Sequence, residues 1–167
     1  TQNPMFDMPY AYHFDSSLYG KYLRKLAEKG GVVRSEGIIE HIKQDPISGN
    51  ITGLQLKGGK QIEGDLFIDC TGTRALLSQK TLGVDYEDWS HWLAADSALA
   101  VQTNGFDKTL PYTRRIAHDK GWQWRIPLTN RNGNGIVFSS KFMTDEEAHD
   151  RLINNLGSEP INDVRKI

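Results

Sequence analysis

A chain of 167 residues fits one domain or one piece of a larger one. Its 20 Lys and Arg balance 21 Asp and Glu, spread evenly for a net charge of -1, which argues against nucleic acid or an anionic membrane as partner. Hydrophobic residues are 38%, enough with 16 glycines for a core with little to spare, and no run approaches the roughly 18 apolar residues of a membrane span.

The single cysteine, Cys70, excludes an internal disulfide and a cysteine-based metal cluster, and fits a reducing, cytoplasmic setting. The chain opens on "TQNPMFDMPY" without an element signal and stops at "INDVRKI" without a cap or breaker. Both ends read as cut, so a segment of a longer protein is expected.

The first predicted element is a helix. Asp15, Ser16 and Ser17 offer N-cap oxygens, and the rows Leu18-Tyr22-Leu26 and Tyr19-Leu23-Ala27 follow at i,i+4. Gly30 and Gly31 stop it. "VVRSEGIIEHI" (32–42) predicts a strand bulged or broken at Gly37, and "DPISGN" (45–50) a turn. "ITGLQLK" (51–57) alternates as a strand, and Gly58-Gly59 turns it into "KQIEGDLFIDCTG" (60–72).

Within that last stretch "LFID" is a continuous apolar run, expected of a strand covered on both faces, with Cys70 a small buried strand residue at its end. It closes on Cys70-Thr71-Gly72, small residues at the carboxyl end of a strand, where open α/β sheets gather ligands. "RALLSQKTLG" (74–83) predicts a short helix stopped by Gly83. Strands are expected around 93–102, 112–118, 121–127 and 135–142. "NRNGNG" (130–135) is the tightest turn signal and pairs the last two as a hairpin. "TDEEAHDRLINNLG" (144–157) predicts a helix with a Thr144–Glu147 capping box and Gly157 as its stop.

Most candidate chemistry reads as structure. Asp145, Glu146, Glu147 and Asp150 cluster at a helix start, where acids complement the dipole. The five histidines, His13, His41, His91, His118 and His149, lack i,i+4 or H-x-H spacing, which gives a metal site little support. "KGGK" and "NGNG" lack the order of a dinucleotide or phosphate loop. Trp89 and Trp92 in "DWSHW" read as core or interface. Two features remain: the 15–72 unit, whose order suits half of a nucleotide-binding fold, and "GWQWRIP" (121–127). In the latter, two tryptophans aim to one face of a strand and a proline ends the ladder just beyond.

On these residues the sequence resembles the flavin-dependent halogenases, the tryptophan-halogenase group in particular. The W-x-W-x-I-P signature is whole in Trp122, Trp124, Ile126 and Pro127. "YAYHFD" (10–15), "DLFIDCTG" (65–72), "DSA" (96–98), "PYT" (111–113) and "VFSSKF" (137–142) stand around it in family order, so the likeness covers nearly the whole chain. The resemblance implies an α/β class (an α+β segment). This is the central part of an FAD/NAD(P)-binding fold of the p-hydroxybenzoate-hydroxylase type, with a β-meander crossover and a β-rich substrate-side sheet. It divides the chain into 1–83, part of the FAD-binding module, and 84–167, part of the substrate-side region.

The resemblance also implies roles. Ile38 or a near neighbour offers backbone to the adenine end of FAD, and Cys70, Thr71 and Gly72 pass close to the cofactor. Trp122 and Trp124, with Ile126 and Pro127, keep the organic substrate from the flavin. FAD, reduced by a separate flavin reductase, then turns chloride or bromide into hypohalous acid. That oxidant crosses a tunnel to a small aromatic substrate, tryptophan or another indole, where a lysine and a glutamate direct halogenation. A homodimer is one assembly open to such a protein. Three family features are missing: the G-x-G-x-x-G loop, the segment with the catalytic lysine, and the downstream glutamate motif. No catalytic residue is therefore assigned. The chain alone is expected to be inactive and to bind FAD weakly or not at all. The rival readings are a monooxygenase or oxidase of the same fold, a pyrrole or phenol halogenase, and a non-catalytic β-rich binding module.

Overall fold

The computed structural model describes residues 10–105 and 110–167; the opening stretch 1–9 lies outside them. It shows a mixed α/β chain whose sheets are antiparallel. The chain forms two compact units: residues 10–25 with 89–167, and Leu26–Asp88.

The first helix, α1, runs Ser16–Lys29. Asp15 is its N-cap, accepting from the amides of Ser17 at 2.9 Å and Leu18 at 3.3 Å. Phe14 and Tyr19 meet with ring centroids 5.1 Å apart, a hydrophobic staple across the cap. At the other end Val32 N–H donates to Ala27 O and Gly31 N–H to Glu28 O, both at 3.1 Å, with Gly31 at φ +94. That closes a Schellman motif, as the double glycine predicts.

In the Leu26–Asp88 unit, β1 (Ile39–Gln44), β2 (Ile51–Leu56) and β3 (Gln61–Glu63) form an antiparallel meander in sequence order. The predicted strand over 32–42 begins only at Ile39, because Leu56, the end of β2, is its last ladder partner. The turn of 45–50 forms around Asp45, whose carboxylate accepts from the Ser48 amide and hydroxyl and the Ile47 amide. The Gly58-Gly59 turn also forms, both glycines at positive φ.

The predicted strand over 60–72 is corrected. Only Gln61–Glu63 pairs with β2, and among the described residues no strand lies beside 65–70. Leu66 and Ile68 are consequently 82% and 80% exposed, and Cys70 is exposed rather than buried.

The other unit holds a five-stranded antiparallel sheet in the order β5-β6-β7-β4-β8: β4 is Ser97–Thr103, β5 Arg114–His118, β6 Gly121–Pro127, β7 Asn132–Phe138 and β8 Arg165–Lys166. One face carries the core: Leu99, Val101, Ile136 and Phe138 pack with Met143 and with Ala148 and Leu152 of α2 (Asp145–Asn154). The capping box of α2 forms as predicted, Thr144 accepting from Glu147 N–H and Glu147 reaching back to the Thr144 amide. Among the described residues no helix is long and apolar enough to cross a membrane.

Phe138 is fully buried at the centre of this core. Phe138→Ala is expected to lower unfolding free energy by about 3–5 kcal/mol, read from the midpoint and slope of urea denaturation.

Candidate functional site

The tryptophan strand pairs on both sides. Trp122 lies opposite Ala117 of β5 and Val137 of β7, and Trp124 opposite Arg115 and Gly135. Alternation therefore puts both indoles on one sheet face, away from Gln123, which is fully buried on the core side. The ring centroids are 5.9 Å apart and the planes tilt by 53°. Trp122 stays 40% exposed, Trp124 is half-buried, and Pro127 is buried at the end of the strand. Around them the same face offers mostly small groups from the neighbouring strands: Ala98, Ala100, Gly133 and Gly135.

The glycine-rich hairpin is corrected. The turn is Leu128–Arg131, closed by Leu128 N–H donating to Arg131 O at 2.8 Å. "NGNG" lies inside β7, paired with both neighbours. Neither Gly133 nor Gly135 has positive φ. Gly135 serves space, not turning. A Cβ on Gly135 would fall 2.0 and 2.2 Å from ring carbons of Trp124. The alternate residues Asn132 and Asn134 are buried on the core face and donate to Thr103 Oγ1 at 3.4 and 3.1 Å. Arg125 spans from Asn134 Oδ1 to the carbonyl of Asn155. Its desolvation, with the Arg114 cation opposite, lowers its pKa.

The segment before α1 fastens to this hairpin. His13 Nδ1 lies 3.0 Å from the Pro127 carbonyl, an acceptor only, so that nitrogen carries the proton. Its Nε2 lies 3.0 Å from Thr113 Oγ1. Asp15, already the helix cap, pairs with Arg131 in the turn, and that guanidinium holds its carboxyl below the usual range. Asp96 ties the far end of the sheet, accepting from Ser140 Oγ at 2.6 Å and N at 2.8 Å.

The stretch around Cys70-Thr71-Gly72 has its own organiser, Asp69. Its carboxylate accepts from the Ser78 amide and hydroxyl, the Thr71 hydroxyl and amide, and the Leu77 amide, all within 2.7–3.1 Å. These donors, the Ser78 amide foremost, hold its carboxyl far below the usual range. They also break the helix expected over 74–83. A 3-10 turn at Gly72–Arg74 and left-handed Ala75 replace its first turn, and irregular turns follow to Gly83. Thr71 Oγ1 is committed twice, donating to Asp69 and accepting from Leu76 N–H. Gly72 is left-handed (φ +67), with nothing within 4 Å of where a Cβ would stand. Ile38 is 69% exposed and its carbonyl already accepts from Lys57 N–H at 2.8 Å. The exposed backbone at Cys70 and Gly72 thus leaves room for a ligand, whereas the Thr71 hydroxyl and Ile38 carbonyl are occupied.

Trp89 and Trp92 are 57% and 81% exposed, so neither is core.

A family model described as tryptophan halogenase matches residues 1–167. The chain belongs to the tryptophan halogenase family. Within that family it is 41% identical over 146 residues to Tryptophan 7-halogenase RebH of Lentzea aerocolonigenes, an alignment covering 83% of this chain and 27% of that protein. Two solved flavin-dependent halogenases superpose well. Xcc4156 from Xanthomonas campestris is 48% identical, with a TM-score of 0.93 over 100% of this chain and 34% of that one. BrvH from Brevundimonas sp. BAL3 is 41% identical, with a TM-score of 0.89 over 93% and 32%. The chain thus spans about a third or less of the length of these halogenases.

Sequence reasoning passed over Asp69, Gly135, Asn132, Asn134 and Gln123. Only the phase of alternation carried in "WQWRIP" through the turn into "NGNGIVF" could have assigned the asparagines to the core face. Because the Asp69 carboxyl is depressed on folding, its contribution is complete above the unfolded value of about 3.9 and is lost as pH falls below it. Asp69→Asn is therefore expected to speed hydrogen exchange of the Leu77 and Ser78 amides at neutral pH. That difference from the parent should shrink on acidification.

Proposed function

We propose that this chain is part of an FADH2-dependent halogenase that acts on an electron-rich aromatic such as tryptophan. The observation that carries the reading is the indole pair of Trp122 and Trp124, in contact on one sheet face, in a chain of the tryptophan halogenase family. The relatives bearing tryptophan 7- and 6-halogenase names support tryptophan as the substrate class. FAD is the cofactor, as the flavin-dependent solved relatives suggest. When bound and reduced, it supplies with oxygen the oxidant that turns halide into hypohalous acid.

The residues of this chain have supporting parts. Trp122 and Trp124 wall the organic substrate away from the flavin. An indole offers bulk and stiffness without a group that titrates near neutral pH, so it excludes without competing for protons. Pro127 ends the strand that presents them, its carbonyl held by His13 and its fixed φ limiting the turn. Ile126 completes the motif beside them, half-buried opposite Gly133. Gly72 and Cys70 offer open backbone for close approach of the cofactor, with Thr71 shaping the loop through Asp69. Ile38, the residue just before β1, serves the adenine end. The division by role places 1–83 on the FAD side of a p-hydroxybenzoate-hydroxylase-type fold and 84–167 on the substrate side. Halide, a flavin reductase and a small aromatic are the partners; the cytoplasm is the proposed setting.

The whole protein, given a flavin reductase, FAD, oxygen and bromide, is expected to convert tryptophan or another indole to a bromo product seen by mass. Oxygenated product independent of halide would sink the proposal in favour of a monooxygenase, and a protein without flavin absorbance would favour a binding module. Trp124→Ala in that protein should cut halogenation about tenfold or more, equivalent to about 1.4 kcal/mol of barrier. The 167-residue chain by itself should give no halotryptophan by HPLC and bind FAD weakly or not at all.

A further inference from the structure

We infer that Gly135 is the positioning residue of the tryptophan pair: its bare Cα is the seat of the Trp124 indole, and through that ring it sets the orientation of Trp122. Three observations on this one sheet lead there. The first is contact. Trp124 and Gly135 are directly paired across β6 and β7, and a Cβ at 135 would stand 2.0 Å from Cζ2 and 2.2 Å from Cη2 of the indole. Such distances lie far inside van der Waals contact, so the ring occupies the volume a side chain would need.

The second is that nothing else about position 135 demands glycine except close strand approach. Its φ is not in the left-handed region. Inside a strand a glycine without a positive φ weakens the ladder and marks the place where another group comes close. Here two groups come close: the indole, and the carbonyl of Leu99, 2.6 Å from the same Cβ position.

The third is an internal control. Gly133 stands two residues earlier on the same face of the same strand, also without positive φ, and its Cβ would meet only Ile126 O at 4.0 Å. The two glycines share propensity and sheet face, and differ in what lies on them: Gly135 is buried beneath the indole and beside the Leu99 carbonyl, whereas Gly133 is half-buried with neither. Trp122 in turn touches Trp124 at 5.9 Å between centroids, at a tilt of 53°. A ring lifted at 124 therefore changes the geometry of both.

The displaced ring has somewhere to go. A cleft of about 270 Å³ opens beside Trp124, lined also by Ala100, Gln102, Gly133, Asn162 and Arg165. An alanine at 135 swings the indole toward that cleft and also presses on the Leu99 carbonyl of β4. This consequence rests on the barrier reading above, since only a barrier makes ring orientation matter to the reaction; the seat itself is tested without it.

The test is the far-ultraviolet circular dichroism of the 167-residue chain, where two tryptophans in contact at a tilt give an exciton couplet. Trp122→Phe, which removes one partner, identifies the couplet. Gly135→Ala should abolish most of its amplitude or invert it, with a matching shift of tryptophan emission. Gly133→Ala should leave both unchanged. Equal couplets in all three folded proteins, parent and both glycine variants, would overturn the assignment, as would equal loss in both variants.

Should Gly135→Ala fail to fold, the double variant Gly135→Ala/Trp124→Ala decides. Recovery of a cooperative unfolding transition shows that the indole was the obstacle. Failure to recover assigns Gly135 to the spacing of β4 and β7 against Leu99 O, and the seat is refuted. The barrier reading fails on other evidence, namely a product ratio indifferent to substitution at Trp122 and Trp124, so the two can be refuted separately.

Discussion

The sheet of the larger unit is organised by one close approach: an indole laid on bare backbone. Trp124 can lie against β7 only because position 135 has no side chain. That contact puts a large apolar ring on the face opposite the α2 core without stacking a second layer of side chains beneath it. Small residues continue beside it on this face, with alanine at 98 and 100 and glycine at 133, while Val137 stands opposite Trp122. A thin surface beneath Trp124 gives that ring a fixed backing, and Trp122 beside it stays 40% exposed. Stiffness costs little here, since an indole has only two side-chain torsions to lose.

The core face beneath depends on a different balance. Two buried asparagines and a threonine replace what could have been aliphatic residues, and hydrogen bonds offset the cost of burying them. Gln123 is less fully served. His118 Nε2 lies 3.3 Å from its Oε1, but its Nε2 is buried without a partner among the described residues, as is Ser139 Oγ. Such groups pin register, because a one-residue slip would carry the tryptophans to the core face and the amides to solvent.

The stretches that looked like separate marks in the sequence are physically two fastenings. In "HFD" the histidine holds the Pro127 carbonyl and Thr113, the phenylalanine staples the first turn of α1, and the aspartate both caps that helix and pairs with Arg131. "DSA" is tied to "VFSSKF" through Asp96 and Ser140. Apart from the local staple and cap, each link joins residues far apart in the chain through charged or polar groups.

The sequence by itself determined what local chemistry decides. The α1 limits follow from Asp15 and the double glycine, the α2 cap from Thr144 and Glu147, the 45–50 turn from Asp45, and the common face of the tryptophans from their spacing of two. The family, too, was legible in W-x-W-x-I-P and its company. Only the tertiary structure decided what depends on neighbours. The run "LFID" looks like a buried strand, but a strand exists by pairing, and nothing among the described residues pairs with 65–70. The helix expected over 74–83 yields to the carboxylate of Asp69, a competitor for amides that no periodicity reveals. "NGNG" carries the letters of a turn, because glycine usually signals a left-handed backbone. Its second meaning, room for a ring from the next strand, appears only once Trp124 and Gly135 are brought face to face.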